Sequence, residues 1–197
     1  MDVVLVRHGK TVLNVQGRYC GAIDAELSPE GSEKIKRLKA YYKSLKFDCI
    51  YVSPFKRAIQ TAEILGFNYE IDERLREMNF GRFEGLTYGE INEKYPEECK
   101  RWNEDFLHYK IPEGESLKDV FERTEDFLNE VSKKHKRVLA VTHGGIIRCA
   151  LSLVFNSFEY FYKFRVENGA AVVISIDGGY SYIKGINLGK ELMEVLT

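Results

Sequence analysis

Three short apolar runs constrain this chain more than any other feature: Val3-Val4-Leu5-Val6, Cys49-Ile50-Tyr51-Val52 and Val138-Leu139-Ala140-Val141. Each run is continuous and not alternating, as in a strand buried on both faces, and that pattern belongs to parallel strands covered by helices. Within two or three residues each meets Gly, Pro or Ser, where a strand turns out of its sheet. Amphipathic helical patterns lie between them. After Ser28-Pro29, apolar residues recur at Ile35, Leu38, Tyr42 and Leu45, with Ser28 suited to N-cap and Pro29 to N1. After Ser53-Pro54 the same start signal opens a second helix, with Ala58, Ile59, Ala62 and Leu65 on one face. Ser116 with Asp119 resembles a capping box, and behind it Leu117, Val120, Phe121, Thr124, Phe127, Leu128 and Val131 form one stripe. Residues 171–176 and 180–186 are strand-like, and Asp177-Gly178-Gly179 between them predicts a hairpin at a sheet edge. Strands alternating with helices predict an α/β three-layer sandwich, a mostly parallel central sheet flanked by helices.

Residues 86–108 break that alternation. They are polar, helical in pattern and carry the only tryptophan, Trp102. Two readings stand side by side, a helical lid over a site (about 86–110) and a surface insertion without function. The 197 residues suit one domain spanning 1–197. With 44% hydrophobic and 30% charged residues, a wholly disordered chain is excluded. Lys and Arg number 29 against 30 Asp and Glu. That balance offers no polycationic surface for nucleic acid, although a local basic pocket is compatible with it. No apolar run approaches the roughly 18 residues that span a bilayer, and no secretory signal opens the chain. Cys20, Cys49, Cys99 and Cys149 are widely spaced with no C-x-x-C pair, which predicts reduced thiols. The expectation is a cytoplasmic protein with no membrane partner, as monomer or homodimer.

In open α/β sheets, ligands bind beyond the carboxyl ends of the strands. Arg7-His8-Gly9-Lys10-Thr11 follows the first run, Ser53-Pro54-Phe55-Lys56-Arg57 the second, and Thr142-His143-Gly144-Gly145 the third. If these strands are parallel neighbours, two histidines and two arginines meet at one sheet edge. Arginine presents a rigid fork of donors that matches phosphate oxygens and stays charged. A histidine beside such cations has a lowered pKa, so its neutral nitrogen can attack phosphorus and form a phosphohistidine. The arginines and the second histidine would stabilise the equatorial oxygens, with backbone N–H groups after Gly9 and Gly144 adding donors. No metal or other cofactor is called for, and no cluster has zinc or two-metal spacing. The leaving oxygen needs a proton, and Glu77, in a loop-like context, suits a general acid. By spacing alone Glu73, Glu84 and Glu90 are equally available. His108 and His135 lie in polar stretches and are expected to face solvent.

The segment Leu5-Val6-Arg7-His8-Gly9-Lys10-Thr11 with Asn14 resembles the signature of the histidine phosphatase (phosphoglycerate mutase-like) superfamily. The likeness continues through residues 17–21 with Asp24, 27–31, Ser53-Pro54 with Arg57-Ala58 and Thr61-Ala62, and Glu77 with Phe80-Gly81 and Glu84-Gly85. It closes with Gly114-Glu115-Ser116 and residues 142–145. The resemblance implies His8 as the phosphorylated nucleophile, with Arg7, Arg57 and His143 completing the phosphate pocket. It implies Glu77 as proton donor, and Asn14, Gly21 and Gly144 as phosphate or substrate contacts. It further implies a phosphoglycerate mutase-like fold with a lid and a small phosphorylated metabolite as partner. Mutases of the family are usually longer and carry an arginine pair in the lid; Lys100-Arg101 falls near that place here, so a phosphatase is favoured. Residues 112–116 and 164–169 are similar to those of bacterial α-ribazole-5′-phosphate phosphatases of cobalamin assembly, the first expectation. Phosphoserine phosphatases and 2,3-bisphosphoglycerate-dependent mutases are the alternatives. Lys10 departs from the pattern, where many relatives carry Glu. Tyr88, Trp102, Phe106 and Tyr109 are candidates either to enclose an aromatic leaving group or to pack the lid, and residues 155–164 for an interface or a core edge.

Overall fold

The computed structural model describes residues 1–196. Its centre is a six-stranded sheet made of β1 (Asp2–Arg7), β2 (Cys49–Val52), β3 (Glu70–Ile71), β4 (Arg137–Thr142), β5 (Ala171–Asp177) and β6 (Tyr180–Leu188), in the order β3-β2-β4-β1-β5-β6. β4 runs parallel to both β1 and β2, and β2 parallel to β3; β5 and β6 are antiparallel and close one edge. All three apolar runs are strands at the middle of the sheet. Val3 and Leu5 enter one core with Val138, Ala140, Val172 and Ile174, while Val4 and Val6 enter the other with Leu139, Val141, Ala171 and Val173. Every side chain of residues 3–6 is therefore buried, each contributing about 1.5–3 kcal/mol. That two-sided burial is why the runs do not alternate.

The helices supply the outer layers: α1 (Val12–Val15), α2 (Pro29–Lys43), α3 (Lys56–Leu65), α4 (Tyr88–Lys94), α5 (Pro96–Glu104), α6 (Leu117–Lys134), α7 (Gly144–Leu153) and α8 (Leu192–Leu196). α2, α3 and α8 cover the Val4/Val6 face, and α4 to α7 the Val3/Leu5 face. The buried residues of α6 are the seven of the expected stripe, and the Ser116–Asp119 capping box is formed in both directions. Ser28 caps α2 by accepting from the Gly31 amide. Residues 88–104 form α4 and α5, pinned by Trp102, which packs on Phe83 and Tyr19 with ring centroids 5.4 and 5.6 Å apart. β3, two exposed residues without an apolar signature, was not foreseen.

Two local expectations need correcting. Ser53 does not start α3; the N-cap is Phe55, without a side-chain cap, and the Ser53 hydroxyl is engaged by His143 instead. His135 does not face solvent freely, because its Nε2 meets the Tyr51 hydroxyl at 3.1 Å. His108 does face solvent, paired with Asp105. All four cysteines are free thiols, and among the described residues no helix is long and apolar enough to cross a membrane.

The first turn of α2 lies directly on the backbone of Lys10. A Cβ on Gly31 would stand 2.2 Å from the Lys10 carbonyl oxygen and 2.7 Å from its nitrogen. Gly31→Ala is therefore expected to destabilise the fold by about 1–3 kcal/mol, read as a lower urea midpoint at unchanged slope. Gly89→Ala, whose Cβ meets nothing nearer than Thr87 Oγ1 at 4.0 Å, serves as the control and should not lower it.

Candidate active site

The strand register decides which residues meet. Arg7 pairs with Thr142, and Val52 with Val141, so β1, β2 and β4 end level with one another. The next residues, His8, Ser53 and His143, emerge together, with the His8 amide on the Thr142 carbonyl and the Ser53 amide on the Val141 carbonyl. The two imidazole centroids are 5.0 Å apart, tilted by 59°. His8 is 3% exposed and His143 fully buried. The expected convergence of imidazoles is present in the fold.

Burial first, then the Arg57 and Arg7 charges, hold the His8 imidazole well below its usual pKa. Its ring is neutral, and with Nδ1–H donating to the Gly9 carbonyl at 2.6 Å the bare lone pair is on Nε2. Gly9 is held in turn by its N–H, which donates to Thr61 Oγ1, and that hydroxyl itself donates to the Arg57 carbonyl. His143 is also kept well below the usual range, by burial and then by Arg57 and His8. It accepts from Arg57 Nε at 3.2 Å on Nδ1, so Nε2–H donates to Ser53 Oγ at 2.7 Å.

Arg57 is fully buried and stacks over Phe55, 4.7 Å from the ring centroid. Besides His143, its guanidinium donates to the carbonyls of Ile23, Cys20 and Gly21. It thus joins His143 to α3 and ties residues 20–23 to the same helix. Gly21 donates its amide to Glu84 Oε2, so both of its backbone groups serve the loop. Glu84 also accepts from the amides of Ala22, Ile23 and Phe80, and spacing alone does not reveal this role.

Glu77 reaches the same edge from the other core. The three carbonyls before it are each claimed: Arg74 and Arg76 by the Arg123 guanidinium, and Leu75 by the Thr142 hydroxyl. Its carboxylate accepts from the amides of Met78 and Gly145 at 3.0 and 3.1 Å. A Cβ at residue 145 would lie 2.2 Å from Glu77 Oε1, so only glycine admits the carboxylate to the start of α7.

Arg7, Asn14, Glu77, Gly144 and Gly145 line a cavity of about 220 Å³, whose outer walls are Tyr19, Trp102, Phe106, Phe161 and Tyr162. Asn14 Oδ1 already accepts from Thr11 N–H and Asn168 Nδ2, which leaves its own NH₂ as a donor. Arg7 donates Nη1–H to the Val166 carbonyl at 2.5 Å. Arg18 and Arg148 also line the cavity and were not foreseen. Arg148 was legible, since it follows Gly144 by four residues on α7 and so shares its face. Of the other candidates, Tyr88 lines only a neighbouring hollow with Tyr19, Trp102, Phe106 and Tyr162, and Tyr109 lines neither. Lys100 and Arg101 are exposed on α5 away from the cavity, and Lys10 pairs with Glu30 outside it. Among the described residues no three His, Cys, Asp or Glu cluster in a way that holds a metal ion.

Comparison with known proteins agrees with this geometry. The model of the histidine phosphatase superfamily (branch 1) matches residues 3–189. Phosphoserine phosphatase 1 of Hydrogenobacter thermophilus is 33% identical over 203 residues, covering 98% of this chain and 95% of that protein. Human 6-phosphofructo-2-kinase/fructose-2,6-bisphosphatase 4 is 38% identical over 153 residues, 77% of this chain and 32% of that protein. The crystal structure of the alpha-ribazole phosphatase from Shigella flexneri superposes with a TM-score of 0.87 at 27% identity, covering 95% of this chain and 96% of that one. The chain belongs to the histidine phosphatase superfamily and is a phosphate-ester hydrolase of that family.

Removing the Glu84 carboxylate strips the 21–23 amides of their acceptor. Glu84→Ala is expected to destabilise the chain by about 2–3 kcal/mol. Hydrogen exchange of the residue 21–23 amides should quicken, while the amides of β4 keep their protection.

Proposed function

We propose that this member of the superfamily hydrolyses a small phosphomonoester through a phosphohistidine on His8. The observation that carries the reading is the state of that ring, neutral, with its proton fixed on Nδ1 and its lone pair on Nε2, under two guanidinium charges. In the first step Nε2 attacks phosphorus and the ester P–O bond breaks. Glu77 gives a proton to the departing oxygen. Arg7, the Asn14 amide and the Gly144 N–H hold the phosphoryl oxygens, while the buried Arg57 adds its positive charge and fixes the ring of His143 between itself and Ser53. In the second step water attacks the phosphohistidine, Glu77 takes its proton, and inorganic phosphate leaves with His8 restored.

For the leaving group, phosphoserine is the preferred reading. A relative that is 33% identical and covers 98% of the chain is a phosphoserine phosphatase, and a cavity of about 220 Å³ falls below the roughly 300–1,000 Å³ of sites for drug-sized ligands. A second reading, α-ribazole-5′-phosphate, is supported by the aromatic walls and by the adjoining hollow of about 330 Å³ that shares Tyr19, Trp102, Phe106 and Tyr162. Relative kcat/KM on phosphoserine, α-ribazole-5′-phosphate and 3-phosphoglycerate decides between them. Release of free phosphate without isomerisation of 3-phosphoglycerate in the presence of 2,3-bisphosphoglycerate excludes the mutase.

His8→Ala should abolish hydrolysis of p-nitrophenyl phosphate with the circular dichroism spectrum preserved; an undiminished rate overturns the mechanism. Arg7→Ala should lower kcat by about 10²–10³, as removal of an oxyanion donor does elsewhere. Because His8 is held neutral below the ordinary histidine value of 6.5, its phosphorylation in a single turnover should keep its rate as pH falls through 6.5. The acid limb belongs well below that. A rate that halves near 6.5 would contradict the neutral-ring assignment.

A further inference from the structure

Beside the catalytic cavity lies a second one of about 410 Å³, and Arg7 and Arg148 line both. Lys10, Lys34 and Arg165 complete a set of five cations around it, against the carboxylates of Glu30 and Glu167. These cations are poorly neutralised. Lys10 meets Glu30 only at 3.4 Å, with its own side chain half-buried and that of Glu30 largely in solvent, and Lys34 donates to the Asn168 carbonyl, which carries no charge. Among the described residues the Arg165 side chain has no hydrogen-bond or ion-pair partner. On the shared wall, the Nε atoms of Arg7 and Arg148 are buried without a hydrogen-bond partner among the described residues. A buried guanidinium N–H without an acceptor is unfavourable, and five converging cations repel one another. An oxyanion relieves both.

We propose that this second cavity binds an anionic group, carboxylate or phosphate, in addition to the phosphoryl group at His8. Arg165 and Lys10 draw the anion in at the mouth, and Arg148 meets it at the wall it shares with the catalytic cavity. The group has two sources, the substrate's own second anionic group or a separate small oxyanion. The inference rests on the reading that the phosphoryl group is taken at His8, and it adds support to phosphoserine, whose carboxylate phenyl phosphate lacks.

The test uses the double variant Lys10→Ala/Arg165→Ala, which leaves every residue of the catalytic cavity in place. If the substrate supplies the anion, KM for phosphoserine and 3-phosphoglycerate rises about tenfold in the variant, while phenyl phosphate changes less than about twofold. If a separate oxyanion binds, added sulfate alters phenyl phosphate hydrolysis by the native chain in a manner not competitive with substrate, and the variant loses that response. Equal KM values on all esters together with an unchanged sulfate response overturn the proposal, while hydrolysis of phenyl phosphate keeps the phosphatase reading intact. Should the native chain hydrolyse none of these esters, that reading fails on its own. The cavity is then judged by calorimetric titration of 3-phosphoglycerate and sulfate into both proteins, where equal affinities refute it and an affinity about tenfold weaker in the variant upholds it.

Discussion

A buried guanidinium that faces no carboxylate sets the terms for this molecule. Arg57 is fully enclosed, yet its donors go to three backbone carbonyls and an imidazole nitrogen, and among the described residues it makes no ion pair. Such a charge is tolerated only where neutral acceptors satisfy its N–H groups. It leaves a net positive field among the histidines. That field disfavours imidazolium on both rings, adding to their burial, and it favours a phosphoryl dianion above them. Burial, with the charges of Arg57 and Arg7 added to it, thus keeps the nucleophile free of its proton, and those charges make the pocket attractive to phosphate.

The scaffold makes this arrangement durable by fixing backbone more than side chains. Three strands end in register, so the histidines need no long reach to meet. The segments that bring the remaining groups are then clamped through their peptide units. Glu84 collects the amides of residues 21–23, Arg57 takes the carbonyls from the other side, and Arg123 with Thr142 secures the three carbonyls that precede Glu77. Charged groups make the stronger of these bonds, which are individually worth about 1.5–3 kcal/mol.

What the sequence disclosed, and what it concealed, follows the range of the forces involved. The central strands, the α6 stripe and the Ser116 capping box were legible because periodicity and capping act over a few residues. The meeting of His8 with His143 was legible because parallel strands bring their ends to one edge. Ser53 was misread as a helix cap. Its local context, Ser-Pro before an amphipathic run, carries that signal, while its partner His143 lies 90 residues away. The clamping roles of Glu84 and Arg123 were not legible for the same reason: the groups they hold across the fold are peptide units of distant loops, and a peptide group has no residue type to recognise. Glu77 stood level with other glutamates until the resemblance selected it, since only the fold brings it to the start of α7.

The helices α4 and α5 are tied to the segments around residues 18–19 and 83 through rings, with Trp102 on Phe83 and Tyr19, and through the fork of Arg18 on Glu90. The reacting groups, by contrast, are anchored to strands and to peptide units beneath them. Outer walls and inner chemistry thus answer to separate sets of substitutions. A descendant of this chain can exchange one alcohol for another by reshaping its aromatic canopy, while the machinery that handles phosphorus passes through the change unaltered.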